Sequence, residues 1–232
     1  MSMIGSIRRQ LTPIHPEGYI WIAGFALATF VLGPVVGSLG WIGAIATAWC
    51  AYFFRDPVRL TPLDENLVIS PADGVVSSVG YFAPPPELGL GPEPMQRVSI
   101  FMSVFDCHVN RAPIAGRVTK IAYRPGLFVN ADLDKASENN ERNGLVIEGG
   151  GGRFGVVQIA GFVARRIVCF VRQGELIGAG DRFGLIRFGS RVDVYMPGEA
   201  RPLVTLGSKA IAGETALGEL RSNAPRRNFK SG

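Results

Sequence analysis

The chain has 232 residues, room for one sizeable core plus an anchor or for two small domains. Apolar residues make up 47% and charged residues only 19%, below the roughly 25% usual in a soluble domain. The net charge of +5 suits an anionic surface, but no Lys/Arg run with interleaved aromatics occurs, so nucleic acid is not the expected partner. Cys50, Cys107 and Cys169 lie far apart without a CxxC, which argues against a zinc site or a disulfide framework and fits a reduced, cytosolic body.

Residues 1–57 read as an anchor. From Gly18 to Phe54 there is no charged side chain, and Gly33-Pro34 and Gly37-Ser38-Leu39-Gly40 divide the stretch into segments 19–36 and 39–54. A spanning helix needs about 20 apolar residues, so each segment is short and together they predict a helical membrane hairpin. Arg8 and Arg9 precede it, Arg55 and Arg59 follow it, and the turn carries no charge. That pattern puts both ends on the cytoplasmic side of the cell's inner membrane. The basic tail, Arg221, Arg226, Arg227 and Lys230, either adds attraction to anionic lipid or is a solvated end.

Residues 58–232 read as a mainly β body, a barrel or sandwich of short strands. Period-two alternation with β-branched residues predicts strands at 75–79, 97–102, 116–121, 144–147, 154–159, 167–171, 184–188 and 191–195. The five prolines within 82–95 and the asparagine-rich polarity of 130–143 predict loops.

Few residues here can carry chemistry. GxSxG, HExxH and a P-loop are all absent. The two histidines are His15, read as an ordinary surface or interface residue, and His108, in a dense polar stretch after an apolar strand. Asp73 sits in Ser70-Pro71-Ala72-Asp73-Gly74, where Asp-Gly by itself reads as a turn. Gly189-Ser190 and Gly207-Ser208 are two Gly-Ser pairs. A serine hydroxyl can attack the preceding carbonyl and turn the amide into an ester. Elimination then leaves dehydroalanine, which hydrolyses to a pyruvoyl group. Glycine places no side chain in the path of that attack and tolerates strained backbone.

Taken together, Tyr52-Phe53-Phe54-Arg55-Asp56-Pro57, Ser70-Pro71-Ala72-Asp73-Gly74, Phe105-Asp106-Cys107-His108-Val109-Asn110-Arg111-Ala112-Pro113, Asn140-Glu141-Arg142 and Arg187-Phe188-Gly189-Ser190-Arg191-Val192-Asp193 form a specific set. The chain resembles the short bacterial and archaeal phosphatidylserine decarboxylases from about residue 15 to about residue 215. The resemblance implies self-cleavage between Gly189 and Ser190 into a large part, 1–189, and a small part, 190–232. It also implies a covalent pyruvoyl cofactor made from Ser190, and no metal. The expected partners are phosphatidylserine in the membrane and the two parts of the chain as a heterodimer, with a higher oligomer possible.

In long forms the cut follows Leu-Gly in Leu-Gly-Ser-Thr, which would point to Leu206-Gly207-Ser208. Ser190 is preferred because a strand carrying Gly184 precedes it and an alternating apolar strand follows it. Long forms also carry a second histidine three residues after the first, where this chain has Arg111. The resemblance therefore implies Ser190, His108 and Asp73 as catalytic residues, with Asp73 orienting His108 and His108 accepting the serine proton. Arg111, Asn140 and Arg142 are the substrate-binding candidates. The competing readings are a related pyruvoyl decarboxylase for another amino-acid head group, a membrane-tethered β binding module, and a serine hydrolase built on the same three residues.

Overall fold

The computed structural model describes residues 12–126, 140–161, 166–187 and 189–221. It forms two units, Met1–Val58 and Arg59–Gly232.

In the first unit a 3-10 turn, Pro16–Gly18, leads into helix α1 (Tyr19–Leu32), followed by α2 (Gly37–Phe53). His15 caps the turn, its Nδ1 accepting the Glu17 N–H at 3.3 Å. The seam between the helices is built from small residues. A Cβ added at Gly43 would meet Thr29 Oγ1, and one at Gly33 would come 3.1 Å from the Gly40 Cα, so the backbones approach closely. The bulky side chains point the other way: Ile20, Phe30 and Trp41 are each more than three-quarters exposed. The helix pair is thus turned inside out relative to a water-soluble one, with small residues inside and large apolar ones outside. Among the described residues no helix is long and apolar enough to cross a membrane. The 14 residues of α1 and 17 of α2 extend about 21 and 26 Å, short of a hydrocarbon core of about 30 Å.

The second unit is mainly β, as its alternation predicts. The strands are β1 (Leu67–Ile69), β2 (Gly74–Phe82), β3 (Met95–Met102), β4 (Val109–Arg111), β5 (Gly116–Arg124), β6 (Arg142–Gly149) and β7 (Gly152–Ala160), then β8 (Ile167–Cys169), β9 (Leu176–Ile177), β10 (Arg182–Ile186), β11 (Ser190–Met196), β12 (Arg201–Pro202), β13 (Lys209–Ala210) and β14 (Ala216–Glu219). Eight of them form one sheet in the order β13-β2-β3-β11-β7-β6-β5-β9. Two three-stranded sheets, β1-β14-β12 and β4-β10-β8, complete the unit. All strand pairs are antiparallel. Among the described residues the large sheet runs open from β13 to β9 rather than closing into a barrel.

Several boundaries differ from expectation: the 82–95 loop yields Phe82 to β2 and Met95 to β3, and the strand expected at 167–171 ends at Cys169. Arg142 and Asn143, expected in a loop, already belong to β6, because Arg124 and Tyr123 on one side and Ile159 and Gln158 on the other pair with them. Of the remainder of the expected 130–143 loop, residues 130–139 lie outside the described residues, and Asn140 and Glu141 precede β6 outside any strand. The strand expected at 184–188 ends at Ile186, and Phe188 lies outside the described residues.

Both faces of the large sheet are covered around β11. Val192, Val194 and Met196 enter the main core with Val98, Ile100 and Met102 of β3. The opposite face meets the proline-rich 82–95 segment, whose Leu88 packs with Val146, Val157, Ile159 and Tyr195. Arg191 and Asp193 also face that side and are buried there. Their side chains pair through two bonds, Nε to Oδ1 at 2.9 Å and Nη2 to Oδ2 at 3.0 Å. The mutual neutralisation is what allows a charged strand face to be dry, and removing one partner of such a pair costs about 3–5 kcal/mol. Burial, and then the Asp193 carboxylate, push the Tyr195 phenol up to about 12.

Candidate active site

Ser190 opens β11, the strand held between β3 and β7, where it pairs with Met102 and Ala160. It is fully buried on the main-core side, and its hydroxyl donates to the Met102 Sδ at 3.4 Å. A thioether is a weak acceptor and cannot take the proton, so this contact aims the hydroxyl without activating it. Gly189 stands just before the strand at φ +61°, a left-handed backbone that an L side chain adopts only at a cost. A Cβ there would meet nothing within 4 Å. The glycine is therefore required by conformation, and the lack of steric blocking that the sequence pointed to is secondary. Its carbonyl oxygen accepts the Gly161 N–H at 2.9 Å.

This gives a prediction. On an uncut Ser190→Ala background, Gly189→Ala should lower unfolding free energy by about 1–2 kcal/mol, the cost of left-handed backbone. Denaturant titration checks it; a loss beyond about 4 kcal/mol would reveal a clash that the open space denies.

Gly207-Ser208 also has a left-handed glycine, at φ +82°. Its serine, however, sits in the half-buried turn before the two-residue strand β13, with its Oγ accepting the Thr205 N–H at 3.1 Å. That is ordinary turn chemistry.

His108 is fully buried immediately before β4, and its carbonyl accepts the Ile186 N–H of β10 at 3.2 Å. Its Nδ1 lies 3.0 Å from the Asp106 carbonyl oxygen. A carbonyl can only accept, so Nδ1 carries the proton. In the neutral ring Nε2 then holds the lone pair, the form a general base needs.

Asp73 lies just before Gly74, the first residue of β2. A Cβ at Gly74 would run into the Phe101 carbonyl, so close backbone approach, not a hairpin turn, fixes this Asp-Gly. Asp73 Oδ2 accepts from Arg59 Nη2 at 2.6 Å, and Oδ1 accepts the Ala212 N–H at 2.8 Å. The segment is tied to the histidine strand by the Arg111 N–H, which donates to the Pro71 carbonyl at 2.9 Å.

Beneath Ser190 runs a buried chain of side-chain amides. Asn143 Nδ2 donates to Gln158 Oε1 at 3.0 Å, and Gln158 Nε2 donates to Asn110 Oδ1 at 2.8 Å. Asn110 Nδ2 reaches the Pro71 carbonyl at 3.4 Å and the Met102 Sδ at 3.7 Å. The same sulfur thus receives Asn110 and Ser190. Gly184 makes room, since a Cβ there would approach Gln158 Nε2 to 2.8 Å. Sequence reasoning missed Gln158, Asn143 and Met102. Its one available signal was Gln158, a lone amide in the apolar run Val156-Val157-Gln158-Ile159.

The three substrate-binding candidates are not brought together in one constellation. Arg111 Nη1 donates to the Gly180 carbonyl at 2.9 Å. Arg142 pairs with Ile159, which shares the face of Arg191, so it projects away from the Ser190 side and forms an ion pair with Glu87. Asn140 is buried before β6. Its neighbour Glu141 is a clamp: Oε1 accepts the Tyr123 hydroxyl at 3.0 Å and the Ile167 N–H at 3.3 Å. Desolvation, and then that hydrogen bond, raise the Tyr123 phenol above its ordinary value.

The sequence that places a buried serine behind a left-handed glycine, with a buried histidine before β4, is similar to known proteins. The family profile of phosphatidylserine decarboxylase matches residues 46–218. A protein of Beijerinckia indica subsp. indica named phosphatidylserine decarboxylase proenzyme is 71% identical over 232 residues, covering 100% of both chains. With most of its length matched by the profile and all of it by that relative, this chain belongs to the phosphatidylserine decarboxylase family.

Proposed function

We propose that the chain is a membrane-bound proenzyme that cuts itself between Gly189 and Ser190 and then decarboxylates phosphatidylserine to phosphatidylethanolamine and CO2. The observation that carries this reading is Gly189-Ser190 itself: a left-handed glycine followed by a buried serine at the head of the β11 strand.

In the cut, His108 Nε2 takes the Ser190 hydroxyl proton and Oγ bonds to the Gly189 carbonyl carbon. The C–N bond breaks and the nitrogen takes a proton, leaving an ester. Loss of the Ser190 Cα proton then breaks the Cβ–O bond, freeing the Gly189 carboxylate and leaving dehydroalanine. Water replaces its nitrogen, ammonia leaves, and a ketone remains at residue 190. The Asp106 carbonyl fixes the ring tautomer, and Asp73 supplies the negative charge that stabilises the protonated ring. The pyruvoyl group supplies an electron-withdrawing carbonyl that accepts the electron pair left when CO2 departs. Its site suits it, since its carbon skeleton comes from the buried Ser190 itself and only one water is consumed in making it. Arg111 and Asn140 are separate candidates for the substrate's phosphate or carboxylate. Arg142, tied to Glu87 on the other face, supports the strand.

The fragments stay together as a heterodimer, which can build a higher oligomer. Residues 190–196 lie between β3 and β7, and β13 and β14 pair with β2 and β1 of the large part. The helix pair dips into the inner membrane from its cytoplasmic face, supported by its outward apolar side chains and by Arg55 and Arg59 after it. Such an anchor brings the site to the lipid head group without extracting the lipid.

Purified chain incubated with phosphatidylserine in detergent micelles should yield phosphatidylethanolamine, and intact-mass analysis should resolve fragments 1–189 and 190–232. A single uncut chain that forms no phosphatidylethanolamine would refute the reading, and turnover only of another amino-acid head group would reassign the substrate.

A further inference from the structure

We infer that the backbone N–H of Gly161 is a catalytic donor in the self-cleavage, holding the oxyanion that forms on the Gly189 carbonyl. The inference rests on the reading that Gly189–Ser190 is the bond that breaks.

The geometry is direct. Gly161, just past the end of β7, donates its N–H to the Gly189 carbonyl oxygen at 2.9 Å. That oxygen belongs to the carbon that Ser190 Oγ attacks. When Oγ bonds to the carbon, the C=O π pair moves onto the oxygen and makes it an alkoxide. When the C–N bond breaks, the pair returns, the nitrogen takes a proton and the ester forms. The donor thus faces charge that exists only between these two events, the condition under which a hydrogen bond accelerates a reaction.

The donor is also rigid. It is main chain, with no rotamer to lose. The residue before it is fixed from both sides: the Ala160 N–H donates to the Glu141 carbonyl at 2.9 Å, and Ala160 pairs with Ser190 across β11. The plain alternative is that the Gly161 bond is the last rung of the β7–β11 ladder, worth about 1 kcal/mol to folding and nothing to the rate. The left-handed Gly189 stands at the head of β11, and its carbonyl is held by this rung.

The two meanings separate when the N–H is deleted without changing shape. Glycolic acid placed at position 161 by nonsense suppression in cell-free synthesis replaces the N–H with an oxygen. Val204→Ala, in the main core, serves as a control of reduced stability. The readout is the first-order rate at which 1–189 and 190–232 appear in intact-mass spectra, with near-UV circular dichroism confirming the fold. The expected result is cleavage about 10²–10³-fold slower in the ester variant, the usual effect of losing one such donor. Val204→Ala should be cut at nearly the wild-type rate. A folded ester variant cut within a few fold of wild type would overturn the inference while leaving the cleavage site standing. A wild-type chain that stays intact, or is cut elsewhere, would overturn the reading of the site and this inference with it.

Discussion

Ser190→Ala should leave one chain of 24.9 kDa where the wild type gives two fragments, and CO2 release from phosphatidylserine should fall to background. The loss is total because the hydroxyl is both the attacking nucleophile and the source of the ketone, so no second group can substitute for either role. The variant should still fold. The hydroxyl's bond to the Met102 thioether is weak, and its removal costs on the order of 1 kcal/mol or less. Ser208→Ala, which removes only a turn contact with the Thr205 N–H, should be cut and active like wild type. Intact mass and lipid product analysis on both variants decide the matter. A normally cut Ser190→Ala beside an uncut Ser208→Ala would mean that the other Gly-Ser pair is the site.

The long strands were readable because each buries at least one face in the main core, which imposes the alternation seen at Val192-Asp193-Val194 and Val98-Ser99-Ile100. The short pieces were not. β4, β9, β12 and β13 span two or three residues each, too few for any period to register. More instructive is the second face of β11. Arg191, Asp193 and Tyr195 alternate with the core residues Val192 and Val194 along β11, yet all three are buried. The arginine and aspartate satisfy each other, and cover comes from a proline-rich stretch that reads as a plain loop. Within the site, Ser190, His108 and Asp73 carry recognisable motifs, whereas the amide chain does not. Gln158 and Asn110 are 48 positions apart and meet only through the register of strands in two different sheets. The Gly161 donor is a main-chain N–H and has no sequence signature at all.

His108→Gln should slow self-cleavage by about 10²–10⁴-fold, the range a positioned general base contributes. Glutamine is the informative replacement. It fills much of the buried ring's volume, so the loss does not merge with the cavity penalty that alanine would add. It can also bond to the Asp106 carbonyl, as Nδ1 does at 3.0 Å, but it cannot take up a proton near neutral pH. The two chains should therefore differ in kind. Wild-type cleavage should slow on acidification as Nε2 becomes protonated and its lone pair is lost. His108→Gln should be slow and nearly independent of pH over the same interval. Following the 190–232 fragment by mass across a pH series measures both. If His108→Gln retained the wild-type acid limb, another group would be the base, and the fixed tautomer of His108 would be only a packing feature of the strand it precedes.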